Sequence, residues 1–114
     1  MSDSRATWTL DGAREMLREV RRLTAGAVAD VDELERLRDE HLSGAEERQQ
    51  IEERLRSRVS RWIREMEALR VDVKGAWLVD FDNGHGCYCW RWPEERLEYF
   101  HGYDEGFSGR CRIQ

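Results

Sequence analysis

The chain has 114 residues, of which 38% are charged and 39% hydrophobic, and its net charge is −5. This length suits one domain with a modest core, spanning residues 1–114. The negative charge argues against nucleic acid and against an anionic membrane as partners. The N-terminal residues contain no apolar run typical of a signal peptide or a membrane span, and three cysteines do not suit a disulfide framework. We therefore expect a cytoplasmic protein.

The first half of the chain has the apolar periodicity of two helices, predicted over 9–42 and 44–70. Thr9 is placed to cap the start of the first helix. In both helices apolar or small residues recur at alternating spacings of three and four, as in a coiled coil. The first of these seams is Leu10, Ala13, Leu17, Val20, Thr24, Ala27, Val31 and Leu34, and the second is Ile51, Leu55, Val59, Trp62, Met66 and Leu69.

The segment between the two helices favours a turn. Ser43 with Glu46 three residues later is a capping-box pattern, although one Ser-Gly pair also permits a single unbroken helix. Residues 30–40 carry six acids and two arginines, whereas residues 54–64 carry five arginines and no acid. An antiparallel hairpin brings these opposite charges together. The alternative for the arginines is a stripe that grips phosphates.

From residue 71 onward the apolar period becomes that of strands, and nine of the eleven aromatic residues lie in this tail, 71–114. Strands are predicted over 76–82, 86–92 and 96–101, followed by a Gly-rich loop. Together with the helices they predict an α+β fold, in which a long antiparallel helical hairpin packs on a small antiparallel β-sheet of about three strands.

Asn83-Gly84 predicts a two-residue type I′ turn between the first two strands. In that register Val79 lies opposite Tyr88. The hairpin then has one aromatic face, which we expect to pack on the helices, and one polar face. The polar face collects Leu78, Asp80, Asp82, His85, Cys87, Cys89 and Arg91.

Short motifs at both ends of the chain form a recurring pattern. They are WTLDGAREMLREVRRL (8–23), LVDF (78–81), CWR (89–91), Glu94, FH (100–101) and GFSGR (106–110). This pattern resembles the bacterial family catalogued as domain of unknown function 2203. The family has no established activity, so the resemblance implies an architecture and a set of polar positions rather than a reaction. Those positions, our candidate ligand-binding residues, are Asp80, Cys89, Arg91, Glu94, His101 and Arg110.

Two sets of residues offer metal-ligand chemistry. Glu94, His101 and Asp104 combine carboxylates with an imidazole and belong partly to the recurring pattern. The His-x-Cys-x-Cys run at 85–89 is less suitable, because alternate positions of a flat strand lie about 6–7 Å apart, which is wide for two ligands of one tetrahedral ion.

Three functions remain open on the sequence. The first is a small ligand- or metal-binding module that uses the polar cluster of the tail, although the sequence names no cofactor. The second is a structural or adaptor protein that acts through its helical hairpin. The third is an enzyme that uses Glu94 and His101 as acid–base groups, or Cys89 as a nucleophile with His101 as its base.

The length of the first helix predicts a homodimer. A helix of about 30 residues is about 45 Å long, which is more than the small sheet can cover. We therefore expect Val31, Leu34 and Ile51 to be exposed and to pair with a second copy through the helices.

Overall fold

The structure is a computed structural model that describes residues 7–40 and 44–114. Two helices precede an antiparallel sheet whose strands pair in chain order. The elements are α1 (Leu10–Glu40), α2 (Ala45–Ala68), β1 (Asp72–Gly75), β2 (Leu78–Asp82), β3 (Cys87–Arg91), β4 (Tyr99–His101), a 3₁₀ turn (Phe107–Gly109) and β5 (Cys111–Arg112). The α+β fold is confirmed, but the sheet has five strands rather than about three.

The two strands that the sequence did not predict lie at the edges of the sheet. β1 pairs with β2 through Asp72 opposite Asp80 and then bulges after Val73. β5 has only two residues, and Cys111 lies opposite Phe100. Strands this short contain no alternation long enough to be detected as a period of two.

The helix starts agree in part with the predicted caps. Thr9 caps α1, because its Oγ1 accepts a hydrogen bond from the Gly12 N–H at 3.0 Å. Gly44 occupies the N-cap position of α2. The predicted cap Ser43 and the predicted end of the first helix, 41–42, lie outside the described residues. In the described parts of the chain, neither helix is long and apolar enough to cross a membrane.

The two helices form an antiparallel pair held by a buried hydrogen bond. Trp62 Nε1 donates to Thr24 Oγ1 at 2.9 Å, and both residues are fully buried. One turn further along, Arg58 forms a 2.6 Å ion pair with Asp30. From Thr24 to Asp30 along α1, the contacted residue of α2 moves back from Trp62 to Arg58, so the two helices run in opposite directions. Asp30 and Arg58 belong to the acidic and basic stretches whose charges predicted this hairpin.

The core lies between the helical hairpin and one face of the sheet. Val79, Phe81 and Trp90 come from that face and have no exposed surface. They form one cluster with residues of the helices and loops: Ala13, Leu17, Val20, Ala27, Trp62, Met66, Val71 and Leu97. The aromatic face of the β2–β3 hairpin therefore packs on the helices, as the side-chain alternation predicts.

The register of the β2–β3 hairpin differs from the predicted one by two residues. Val79 lies opposite Trp90 rather than Tyr88, because the connection has four residues, 83–86, instead of two. The side chain of Asn83 stabilises this wider turn, because its Oδ1 accepts hydrogen bonds from two backbone N–H groups, each at 2.8 Å. A shift of two residues keeps every side chain on its original face, so the polar face is preserved.

Two of the three seam residues that we expected to be exposed are buried within one chain. Leu34 is 7% exposed and Ile51 is 9% exposed, so the expectation is wrong for both. Val31 is half-buried and keeps part of the exposed surface that was expected. The homodimer stays a prediction, and Leu34 and Ile51 give it no support.

The Trp62–Thr24 hydrogen bond predicts a non-additive pair of variants. Thr24→Val leaves a buried N–H unpaired and should lower the free energy of unfolding by about 1–3 kcal/mol. Trp62→Phe also leaves a cavity and should lower it by about 2–4 kcal/mol. The double variant should lose less than the sum, because neither polar group remains. Urea unfolding measures all three free energies, and additive losses would show that the bond contributes nothing.

Candidate functional site

A polar cluster lies on the sheet face that points away from the helices. It contains Asp80 of β2, Cys89 of β3 and His101 of β4, which are 2%, 1% and 6% exposed. Asp80 and Cys89 face each other in the strand register. One potential ligand atom from each residue lies within 4.8 Å of the other two. Three of the six candidate residues are thus brought together, and we call this set the triad.

Both ring nitrogens of His101 face oxygen atoms. Nδ1 lies 2.7 Å from the Gly102 carbonyl oxygen, and Nε2 lies 2.9 Å from Asp80 Oδ2. Because a carbonyl oxygen only accepts, Nδ1 carries a proton and donates it. A hydrogen bond at Nε2 needs one proton between this nitrogen and Asp80 Oδ2, carried by either group. Metal-bound histidines typically donate their other ring N–H to a backbone carbonyl in this way.

The Asp80 carboxylate is only partly satisfied by the protein. Its Oδ2 contacts His101, whereas Oδ1 is buried and meets no donor at hydrogen-bonding geometry among the residues that the structure describes. The Cys89 thiol interacts with the same carboxylate, and this interaction contributes to the raised pKa of Cys89. A buried polar atom without a partner costs about 1–3 kcal/mol, and more when the group is charged. A cation bound at this carboxylate would remove that cost.

The buried cysteines are protonated at neutral pH. Burial raises the pKa of Cys89 to about 12 and that of Cys87 to about 11, and the Asp80 carboxylate adds to both shifts. A neutral thiol is a poor nucleophile, which argues against Cys89 as a nucleophile in the protein alone. A metal ion would displace the thiol proton, because the thiolate is the form that binds metals.

The remaining three candidate residues meet at the turn after β3. Arg110 Nη1 and Nη2 donate to the two carboxylate oxygens of Glu94 at 3.1 and 2.6 Å, and the Arg91 backbone N–H donates to the same carboxylate at 2.9 Å. The Arg110 guanidinium lies 4.0 Å from the ring centroid of Tyr99 and 4.1 Å from that of Phe107. These contacts hold the closing segment against the sheet.

Arg110 also connects this second group to the triad. Its guanidinium interacts with the Cys89 thiol. Burial works against the charged form, but the hydrogen bond and the charge of Glu94 outweigh it and raise the pKa of Arg110. A permanent positive charge beside Cys89 favours the thiolate over the thiol.

The triad differs from the metal-ligand set considered on the sequence. Among the residues that the structure describes, the His, Cys, Asp and Glu side chains close enough to share one ion are those of the triad. The triad shares only His101 with the set Glu94, His101 and Asp104. Glu94 forms an ion pair with Arg110, and Asp104 lines a cavity. His85 is exposed in the turn.

Sequence reasoning missed the part played by Gly86. This residue is buried, and a Cβ atom there would lie 2.5 Å from the carbonyl oxygen of His101. Only glycine therefore lets β4 approach closely enough to place the imidazole beside β2 and β3. The signal was present in the sequence, because an isolated glycine in a strand pattern marks a close backbone approach.

The triad forms part of the lining of an open cavity of about 500 Å³. The same cavity is also lined by Lys74, Leu78 and the segment 103–107. The triad is buried, but it lies on the wall of this cavity rather than inside the packed core. A small ligand would approach the triad from this cavity.

The fold and the site define an α+β domain with a buried Asp–Cys–His cluster at the centre of its sheet. The chain belongs to the family of uncharacterised conserved proteins designated DUF2203, whose model matches residues 6–113. This confirms the family resemblance of the sequence motifs. No curated protein and no solved structure matches the chain. The family description gives no activity, so a function has to be inferred from the site.

The burial of the thiols predicts different reactivities for the three cysteines. Cys111 is exposed, whereas Cys87 and Cys89 are buried and have raised pKa values. At about pH 8, the disulfide reagent DTNB should modify Cys111 rapidly and the other two on the order of 100-fold more slowly. A raised pKa keeps a thiol protonated until the pH approaches that value. The reactivity of Cys87 and Cys89 should therefore rise as the pH approaches 11–12. In urea, which unfolds the protein, both thiols should react at once. Equal rates in the native protein would contradict the burial.

Proposed function

We propose that the protein binds a divalent transition-metal ion of the Zn²⁺ type through Asp80, Cys89 and His101. The observation that carries the proposal is a buried Asp80 oxygen that has no hydrogen-bond partner among the described residues, in a cluster whose ligand atoms lie within 4.8 Å of one another. Carboxylate, thiolate and imidazole are the usual ligands of Zn²⁺. The sulfur ligand disfavours Mg²⁺ and Ca²⁺, which take oxygen ligands.

The spacing of the triad fits one ion after small side-chain rotations. Ligand atoms lie about 2.0–2.3 Å from Zn²⁺, so in a tetrahedron they are about 3.3–3.8 Å apart. In the protein, Asp80 Oδ2 and His101 Nε2 are 2.9 Å apart, and one potential ligand atom from each of the three residues lies within 4.8 Å of the other two. Three protein ligands leave a fourth position open, and the cavity provides space for it. This arrangement favours a metal with an exchangeable fourth ligand.

Residues around the triad favour the protonation states in which His101 and Cys89 bind a metal. The Gly102 carbonyl fixes the proton of His101 on Nδ1 and leaves Nε2 for the metal. Arg110 favours the thiolate of Cys89, and Glu94 balances the charge of Arg110. The same contacts of Glu94 favour a structural role for it over acid–base catalysis.

A purely structural role is the second candidate, in a protein that acts as an adaptor through its helical hairpin. The observation that favours it is the His101–Asp80 contact itself, which joins β4 to β2 across β3. A buried imidazolium–carboxylate pair would serve this purpose without any ligand. The two proposals differ in whether the triad takes up a metal.

Titration of the purified, metal-free protein with Co²⁺ tests the metal site. We expect stoichiometric binding and a thiolate-to-cobalt charge-transfer band in the near ultraviolet. Cys89→Ser should abolish the band because it removes the sulfur ligand, whereas the matched control Cys87→Ser should retain it. His101→Ala should weaken Co²⁺ binding by about 100-fold or more, and its control His85→Ala should not.

Circular dichroism of each variant separates the loss of a ligand from the loss of the fold. A band of equal strength in Cys89→Ser and in the unmodified protein would place the metal elsewhere. Failure of the folded protein to take up either Co²⁺ or Zn²⁺ would exclude the metal site and leave the structural role of the triad.

A further inference from the structure

A second concavity, of about 550 Å³, lies where α1 meets the segment between β3 and β4. We propose that it binds a small molecule through a phosphate or a similarly charged oxyanion group. Its apolar floor is formed by Leu17 and Leu97. Its charged lining is Arg14, Arg18, Arg21, Glu95, Arg96 and Glu98.

Three of the four arginines form a stripe along α1. Their positions, 14, 18 and 21, are spaced by four and three residues, and such positions lie on one side of a helix. Each arginine directly follows a buried seam residue, namely Ala13, Leu17 and Val20. The stripe therefore flanks the core and borders the concavity.

Arg14 anchors the segment that carries the fourth arginine, Arg96. Arg14 Nε and Nη2 donate to the Leu97 carbonyl oxygen at 3.4 and 3.3 Å. Leu97 is 1% exposed, so this part of the β3–β4 segment is anchored to α1. Arg96, one residue earlier, is thereby held beside the helical stripe. Arginines from two separate elements thus line the same concavity.

Within the described part of the chain, these arginines lack the carboxylate partners that neutralise other arginines. Among the described residues none of the four forms a salt bridge. Arg21 Nε is buried and has no hydrogen-bond partner in the part of the chain that the structure describes. By contrast, the neighbouring Arg22 donates to Glu19 at 2.9 Å on the exposed side of the helix. A ligand oxygen would satisfy the buried Arg21 donor.

The balance of charge favours a small anion. Glu98 is paired with Arg112 at 3.1 Å, so among the described residues that line the concavity Glu95 is the unpaired acid that opposes the four arginines. The volume falls within the range of small-ligand pockets, about 300–1,000 Å³. Guanidinium groups bind phosphate and carboxylate oxygens bidentately. An extended polyanion would in addition be repelled by the rest of the chain, because the net charge of the chain is −5. No residue of this concavity belongs to the triad, so either site can fail without the other.

Titration of ¹⁵N-labelled protein with pyrophosphate, followed by NMR, tests this inference. We expect saturable shifts of the Arg21 Nε–H resonance and of the α1 amides around it. The double variant Arg18→Gln/Arg96→Gln should bind about 100-fold more weakly, about tenfold for each charged hydrogen-bond donor removed. Arg22→Gln is the matched control and should bind as tightly as the unmodified protein. Cys89→Ser should also retain binding, which excludes capture of the anion by a metal at the triad.

Three results would overturn the inference. One is the absence of saturable shifts in the folded protein. Another is equal binding by the double variant and by Arg22→Gln, with both folds verified by their amide spectra. The third is that a short single-stranded oligonucleotide binds more tightly than pyrophosphate and that Arg22→Gln weakens this binding. Such a result would assign the surface to nucleic acid.

Discussion

The contact between His101 Nε2 and Asp80 Oδ2, 2.9 Å long and almost fully buried, is the interaction on which the organisation of the tail depends. It joins the fourth strand to the second across the third. Gly86 allows the backbones to approach, and the Gly102 carbonyl orients the imidazole. Buried charged groups are costly unless every polar atom is satisfied, and Asp80 Oδ1 has no hydrogen-bond partner within residues 7–40 and 44–114. This unsatisfied oxygen is the reason why we propose that the cluster binds a metal and is not only a cross-link.

The two faces of the sheet have separate physical roles. The inner face supplies apolar burial, because Phe81 and Trp90 pack on a helical hairpin that is itself fixed by the Trp62–Thr24 hydrogen bond. The outer face is polar and is closed by a segment that Arg110 holds in place. Apolar packing on one side thus supports a rigid strand framework, which can hold ligand side chains in place on the other.

The sequence predicted those parts of the molecule that depend on local periodicity. Both helices and the polar face of the hairpin follow from spacing alone, and Asp80 and Cys89 share a face even though the loop is two residues longer than expected. The grouping of His101 with them depends on where a three-residue strand docks after the Arg91–Glu94 turn, which no local pattern determines. The burial of Leu34 likewise depends on packing between distant helical segments.

Zinc K-edge X-ray absorption on protein loaded with one equivalent of Zn²⁺ tests the metal site most directly. We expect one sulfur at about 2.3 Å together with nitrogen and oxygen ligands at about 2.0–2.2 Å. The sulfur shell should disappear in Cys89→Ser and persist in Cys87→Ser. A first shell made only of nitrogen and oxygen, or a sulfur shell that survives in Cys89→Ser, would contradict a metal bound by Cys89.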